Sequence, residues 1–285
     1  MSKLKIAIQK SGRLSQKSVA LLEECGLKFP NGGGKLITEC TNFPVEILFL
    51  RDDDIPQYVE QNVAHIGIIG ENVFLESEKA ITIVEKLNFS VCRLSLAVPK
   101  EIDYPGINFF KGKKVATSYP NILQKYFKEN RIEATVEVIS GSVEIAPGIG
   151  LADGICDIVS SGSTLLSNGL KEVETVVKSQ AVMVANQTLD EEAQQILNKL
   201  LFRIRSVQKA KENKYILLNS PNSQLEKIIQ ILPGMNSPTI LPLAKDGWSS
   251  LHSVISEDKF WYVIDELKKA GAEGILVVPI EKMIL

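Results

Sequence analysis

"KKVATSYPNILQKYFKENRI" (residues 113–132) reads as a short strand, a loop of small residues and then a helix. The opening of the chain, "KIAIQKSGRLSQKSVALLEECG" (5–26), has the same grammar, and its helix is expected to stop at Gly26. A second echo follows: "ICDIVSSGSTLLSNG" (155–169) repeats "HIGIIGENVFLESE" (65–78). Strand-like and helix-like runs that alternate in this way signal an α/β chain. Two pairs of units in the same order imply two similar lobes. Ligands of such lobes sit beyond the carboxyl ends of the strands, so the cleft between the lobes is the expected site.

Working outward, residues 1–95 are assigned to a first lobe and 96–178 to a second. The strand within "VVKSQAVMVANQTL" (176–189) is expected to return to the first lobe, which then also takes residues 179–210. "DEEAQQILNKLLFRIRSVQKAKEN" (190–213) carries Ile196, Leu197, Leu200, Leu201 and Ile204 at helical spacing and ends basic. The rest, 213–285, reads strand, helix, strand, strand, helix, strand. That order is the ferredoxin-like βαββαβ unit, a separate small domain.

Composition narrows the chemistry. With 45% hydrophobic and 23% charged residues, the 285-residue chain can bury a real core. A net charge of −2, from 32 basic and 34 acidic residues, offers no global field for nucleic acid or an anionic membrane, so any anion site is local. Two histidines far apart, His65 and His252, exclude a histidine-rich zinc site and a Ser-His-Asp hydrolase. Four scattered cysteines fit a reducing compartment. No export signal or membrane-length apolar run is read, and the expected location is cytoplasmic.

Three patterns invite chemistry without earning it. "NGGGKL" (31–36) lacks the spacing and the Ser or Thr of a P-loop, and reads as a turn with a basic tip. "GIGLADG" (148–154) has one residue too many for a dinucleotide fingerprint and precedes a strand. "RDDDIP" (51–56) is either a metal-binding acid cluster or a set of helix-start acids, with capping expected for at least one of them.

"DIVSSGSTL" (157–165) is different. An acid closes a strand, and small residues and hydroxyls then lead into a helix. Small residues let backbone N–H groups converge, hydroxyls add donors, and a helix start adds partial positive charge: a phosphate cradle. Asp157 cannot hold phosphate, but it suits sugar hydroxyls or a magnesium ion, so the combination asks for a phosphorylated sugar.

The run "ADGICDIVSSGSTL" (152–165), with "SGSVEIAPGIGLADG" (140–154) before it, resembles the phosphoribosyl pyrophosphate-binding segment of the ATP phosphoribosyltransferase family. "AIQKSGRL" (7–14), "DIPQYV" (54–59), "HIGIIGENVFLE" (65–76), "CRLSLAVP" (92–99) and "KKVATSYPNILQKYF" (113–127) agree in order. "GMNSPTILPLAKDGWSSLHSVI" (234–255) and "GAEGILVVPIEKM" (271–283) resemble the regulatory domain of the family's long form. The resemblance implies a two-lobed catalytic part like the type II periplasmic binding proteins, with a ferredoxin-like regulatory domain behind it.

It also implies a reaction. Adenine N1 of ATP joins ribose C1 of phosphoribosyl pyrophosphate, and pyrophosphate leaves, with Mg2+ present. The magnesium ligands stay open, the ion being expected on the substrates' phosphates. Asp157 would meet the ribose hydroxyls, and Ser160, Ser161, Gly162, Ser163 and Thr164 the 5′-phosphate. Glu144 is either a neighbour of the sugar or metal, or an exposed loop acid. Lys10, Arg13 and Arg51 are candidates for triphosphate or pyrophosphate. Ser118 and Tyr119 would border the adenine, with Tyr119 as plain core the rival reading. The opening loop departs from the family's proline-lysine-glycine-arginine run by inserting Ser11 between Lys10 and Gly12. For the last domain the resemblance implies inhibition by histidine, a dimer gathering into a hexamer, and Ser237, Thr239 and Asp246 around the effector; Ser237 and Thr239 also read as turn residues. The rivals are a two-lobed solute-binding protein that catalyses nothing and a non-catalytic amino-acid sensor.

Overall fold

The computed structural model describes residues 3–30, 36–235 and 237–284. Apart from Leu36, the glycine-rich run 31–36, read above as a turn, lies outside the described residues. The chain opens with β1 (Leu4–Gln9), α1 (Arg13–Glu24), β2 (Ile37–Glu39) and β3 (Val45–Leu50). A 3-10 turn at Asp52–Asp54 leads into α2 (Ile55–Glu60), then β4 (Ile66–Gly70), α3 (Glu71–Ser77) and β5 (Ile81–Lys86). Next come β6 (Cys92–Pro99), β7 (Lys114–Thr117), α4 (Pro120–Glu129), β8 (Thr135–Val138), β9 (Gly154–Val159), α5 (Ser163–Ser167) and β10 (Leu170–Ser179). They are followed by β11 (Ala181–Asn186) and the long α6 (Glu191–Lys211).

The first sheet has the order β2-β3-β1-β4-β11-β5 and the second β10-β6-β9-β7-β8. Leaving out the edge strand β2, the two share one strand order: β1 corresponds to β7, β3 to β8, and β4 to β9. In each sheet β1, β3 and β4, or their counterparts, run parallel, and the next strand, β11 or β6, is antiparallel to its neighbour. The echo in the sequence is thus a repeat in three dimensions. Leu4, Ile6, Ala7 and Ile8 are all fully buried, as a parallel strand covered on both faces requires.

Gly67 shows how closely the first lobe packs. A Cβ on Gly67 would sit 2.6 Å from Ile55 Cγ2 and 3.1 Å from Val59 Cγ2, so α2 lies directly on the β4 backbone. Gly67→Ala is expected to overpack this contact and cost about 1–3 kcal/mol. Thermal unfolding checks it: an unchanged Tm would mean that α2 shifts freely.

Two segments cross between the lobes, and they are stapled side by side. Leu87 N–H donates to Ala181 O at 2.9 Å, Ala181 N–H to Phe89 O at 2.9 Å, and Asn88 N–H to Gln180 Oε1 at 3.2 Å. A third tie is made by Glu76 on α3. Its carboxylate accepts the N–H groups of Asn121 and Ile122 at 2.9 and 3.0 Å, capping the start of α4 in the other lobe. Glu76→Ala leaves both N–H groups without that acceptor and is expected to cost about 1 kcal/mol, as for a lost N-cap. A denaturant midpoint unmoved by the change would refute the cap.

Helix α6 begins with Asp190 Oδ1 accepting the Ala193 N–H at 2.7 Å. It straddles two compact units, residues 1–197 and 198–285. The second unit continues with β12 (Asn213–Pro221), α7 (Leu225–Ile231), β13 (Thr239–Pro242), β14 (Trp248–Ser256), α8 (Glu257–Lys269) and β15 (Glu273–Pro279). Its sheet, β13-β14-β12-β15, is antiparallel throughout, which is the ferredoxin-like arrangement. Alternate residues of β12 and β14, among them Ile216, Leu218 and Leu251, are buried in one cluster with Ile228 of α7 and Leu267 of α8. Among the described residues no helix is long and apolar enough to cross a membrane.

Candidate active site

The two lobes bring the carboxyl ends of β1 and β3 and those of β7 and β9 to one cleft. Asp157, near the end of β9, is half-buried, and its Oδ1 accepts the Ile158 N–H at 2.7 Å. Burial pushes its pKa up, the Ile158 N–H opposes this, and the charge of Glu144 adds to the rise. Glu144, on a single 3-10 turn (Val143–Ile145), is thus electrostatically coupled to Asp157. The fold brings these two acids together from 13 residues apart (157 − 144).

Ser160 to Thr164 follow as a solvent-facing loop in which only Gly162 is partly covered. Ser161 Oγ and Ser163 Oγ lie 3.0 Å apart, the Ser163 N–H donates to Ser161 Oγ at 3.5 Å, and Gly162 between them adopts the left-handed φ 82°, ψ 0°. The helix expected here is only five residues long, Ser163–Ser167. Its dipole is correspondingly small, so the cradle rests on hydroxyls and backbone N–H groups rather than on a helix field. Arg93 Nη1 donates to Ser160 O at 3.4 Å, while its guanidinium forks onto Glu172, which also accepts the Ser95 hydroxyl at 2.8 Å. That network fixes where the loop begins.

From the first lobe, Lys10 and Arg51 are exposed and directly follow the neighbouring strands β1 and β3; Lys10 N–H donates to Leu50 O at 2.7 Å. Exposed Arg13 opens α1. A cavity of about 320 Å3 lies between the lobes, lined by Arg13, Leu14, Lys17 and Asp52 on one side and Ile158 and Ser160 on the other. A larger hollow, about 700 Å3, lies along α4 beside Lys128 and Arg131, away from these acids and hydroxyls.

Ser118 and Tyr119 follow β7. Ser118 Oγ donates to Ile139 O at 2.6 Å, so its hydrogen holds the loop and is not on offer to a ligand. Tyr119 packs against the second lobe's core. Burial and the charges of Asp157 and Asp52 push its pKa far up, against a hydrogen bond from Asn72, so its hydroxyl keeps its proton. Tyr119 is therefore both core and cleft wall. Asn72 is held in turn: Ser179 Oγ donates to Asn72 Oδ1 at 2.8 Å and accepts the Asn72 N–H at 3.1 Å.

The expectation that an acid of "RDDDIP" caps α2 is not met. Neither the 3-10 turn nor α2 has a side-chain cap. Instead Asp52 turns inward, and its buried Oδ1 has no hydrogen-bond partner. Burial, with Asp53 beside it, pushes the Asp52 pKa up to about 6. Among the described residues no group of three His, Cys, Asp or Glu side chains is placed to hold a metal ion, so the metal reading of this run falls too. Sequence reasoning missed Asp52 as a cleft residue, and also Asn72 and Arg93. An arginine inside the apolar run "CRLSLAVP" was the signal available for the last.

In the second unit Ser237 and Thr239 lie exposed at the start of β13, and Asp246 in the turn 243–248 beyond its other end. Three residues of strand, roughly 10 Å, separate Thr239 from Pro242, so the three side chains do not converge on one amino-acid-sized site within the module.

Two α/β lobes of common strand order, facing each other across a cleft with an acid-and-hydroxyl loop on one wall and cations on the other, define a two-lobed α/β protein with an appended ferredoxin-like domain. The model of the ATP phosphoribosyltransferase family (HisG) matches residues 51–206, and that of the HisG C-terminal domain matches 210–282. An ATP phosphoribosyltransferase of Phocaeicola vulgatus is 55% identical over 282 residues, covering 99% of this chain and all of that protein. One of Azobacteroides pseudotrichonymphae is 59% identical with the same coverage. A chain of the ATP phosphoribosyl transferase (HisG:HisZ) complex from Thermotoga maritima superposes with a TM-score of 0.62 at 29% identity, over 71% of this chain and 96% of that one. The chain belongs to the ATP phosphoribosyltransferase family.

Proposed function

We propose that this chain transfers the phosphoribosyl group of phosphoribosyl pyrophosphate to N1 of ATP, giving phosphoribosyl-ATP and pyrophosphate, the first step of histidine biosynthesis. The observation that supports this is a cavity lined by Arg13 of the first lobe and by Ile158 and Ser160 of the second, beside Asp157 and the hydroxyl-rich loop, with Glu144 acting on Asp157 and with Lys10 and Arg51 directly after the neighbouring strands β1 and β3. Asp157 accepts the ribose 2′- and 3′-hydroxyls with Glu144 beside it, and the loop 160–164 donates to the 5′-phosphate. As the bond from C1 to the pyrophosphate oxygen lengthens, positive charge grows on the ribose ring, and the acid pair stabilises it electrostatically. The cations neutralise the departing pyrophosphate. Adenine N1 brings its own lone pair, so the cleft's task is alignment, which accounts for the absence of a nucleophile–base pair from this reading. Two acids are too few for an all-protein magnesium site but suit an ion that arrives on phosphate oxygens and keeps several waters; Mg2+ so carried offsets the charge of the pyrophosphate.

Histidine inhibition and assembly into dimers and hexamers belong to the same proposal. They are supported by the match to the family's C-terminal domain and by exposed apolar residues on β13 and β15, such as Leu241 and Leu276. Because Ser237 and Thr239 do not converge with Asp246, an effector held by all three needs a second subunit.

The test is ultraviolet absorbance of the chain with ATP, phosphoribosyl pyrophosphate, magnesium and pyrophosphatase, with and without histidine. Product formation that histidine suppresses supports both parts. Activity indifferent to histidine keeps the transferase and removes the effector. No product from folded protein returns the chain to the binding-protein reading.

A further inference from the structure

Asp52 is an anomaly. Its Oδ1 is shut off from solvent without a hydrogen-bond donor, although the side chain lines a cavity that Arg13 and Lys17 also line. A buried acceptor left unsatisfied is costly in a folded protein and calls for an explanation. The same cavity has apolar surface from Leu14, Val91 and Ile158. Cations, apolar walls and one carboxylate are the three complements of a nucleoside triphosphate: its phosphates, the faces of its base, and a hydrogen-bond donor on the base edge.

We propose that Asp52, its Oδ1 buried and the rest of its carboxylate lining the cavity, accepts a hydrogen bond there from the 6-amino group of the acceptor adenine, and so is a catalytic residue that also sets a preference for 6-aminopurine over 6-oxopurine nucleotides. This rests on the transferase reading given above. The N1 lone pair forms the bond to C1 while the pair of the C1–O bond leaves with pyrophosphate. The purine gains one positive charge, shared between N1 and the 6-amino nitrogen through C6. The amino hydrogens become stronger donors as the bond forms, and a fixed carboxylate beside them stabilises the transition state more than the ground state. No proton has to move. A 6-oxopurine presents an acceptor at that edge and carries a proton on N1, so Asp52 would face it oxygen to oxygen.

The charges felt around Asp52 are Asp53 in its own turn and Tyr119 from the second lobe, on which Asp157 also acts; Arg13 and Lys17 on α1 and Asn72 on α3 line the same cavity. Burial, the main cause, and Asp53 both raise the Asp52 pKa. The native state therefore holds this proton more tightly than the unfolded chain, and stability falls as pH rises from below 3.8 through about 6.

The test is Asp52→Asn in the full chain, with ATP and ITP binding by calorimetry, kcat from about pH 5 to 9, and Tm. The wild type should prefer ATP to ITP by about 100-fold, and the variant by no more than about 10-fold. The variant's kcat for ATP should fall by roughly 10-fold, and the acid limb should lose the component near pH 6 that Asp52 contributes, leaving that of Asp157. Its Tm should exceed the wild type's near pH 8 and equal it near pH 3, which also reports that the variant is folded. An unchanged ATP-to-ITP ratio in folded Asp52→Asn overturns the proposal, as does a wild type that binds the two alike. Wild-type protein that discriminates yet makes no product sinks the transferase reading alone, because the binding ratio is read without turnover.

Discussion

Replacing Asp157 by Asn is expected to lower kcat/KM for phosphoribosyl pyrophosphate by about 100-fold or more, with little change in Tm. One carboxylate oxygen is already engaged by the Ile158 N–H at 2.7 Å, which fixes the side chain's direction without ligand. The amide keeps that shape but removes the charge. Hydrogen bonds to a charged acceptor contribute about 1.5–3 kcal/mol each, so two ribose hydroxyls put about 3–6 kcal/mol at stake. Even the low end is more than 100-fold at ~1.4 kcal/mol per factor of ten. Because burial raises the Asp157 pKa, the neutral amide does not destabilise the fold. Steady-state kinetics with phosphoribosyl pyrophosphate varied at saturating ATP measures the effect. A variant with unchanged kcat/KM would place the ribose elsewhere in the cleft.

Gly162→Val should have the next largest effect, by another route. Gly162 holds φ 82°, a conformation that β-branched residues essentially do not adopt. Space is not the obstacle: the nearest atom to a Cβ would be Val159 Cγ1 at 3.9 Å. The cost is conformational, about 2 kcal/mol, equivalent to roughly 30-fold in affinity if the loop must recover this turn to bind phosphate. In the free protein the exposed loop can relax into another turn, so Tm should hardly move while KM for phosphoribosyl pyrophosphate rises. A large fall in Tm with KM unaltered would show that the turn serves the fold and not the ligand.

Much of the fold was legible because hydrophobic periodicity and turn chemistry are local signals. The strand-loop-helix units at 5–26 and 113–132 became β1–α1 and β7–α4, and the βαββαβ order of the second unit was readable throughout. The strands β6 and β10 were not read as strands, and neither were β2, β5 and β8. The last three are short or half-exposed, and Ile37–Glu39 and Thr135–Val138 gain their definition only from a partner strand.

The site was legible in part for the same reason. Asp157 and the serine loop form one contiguous run, whereas Asp52 gains its meaning from Tyr119 and Asn72, brought near by tertiary packing. Three consecutive acids before a proline look like helix-start residues in any sequence. Only burial distinguishes Asp52 from its neighbours. The dispersal of Ser237, Thr239 and Asp246 had no local signature either, since a hairpin's length decides it.

The stapled pair of crossings at Leu87–Phe89 and Gln180–Ala181 has a mechanical consequence. A single linker would leave the two halves free to twist as well as to swing. Two crossing segments tied side by side by hydrogen bonds resist torsion about their common direction and yield mainly to flexing across it. Such a ribbon behaves as a leaf spring with one soft mode. The two walls of the cleft then approach along a single arc, and whatever is seated on one arrives opposite the same partner on the other at every stroke.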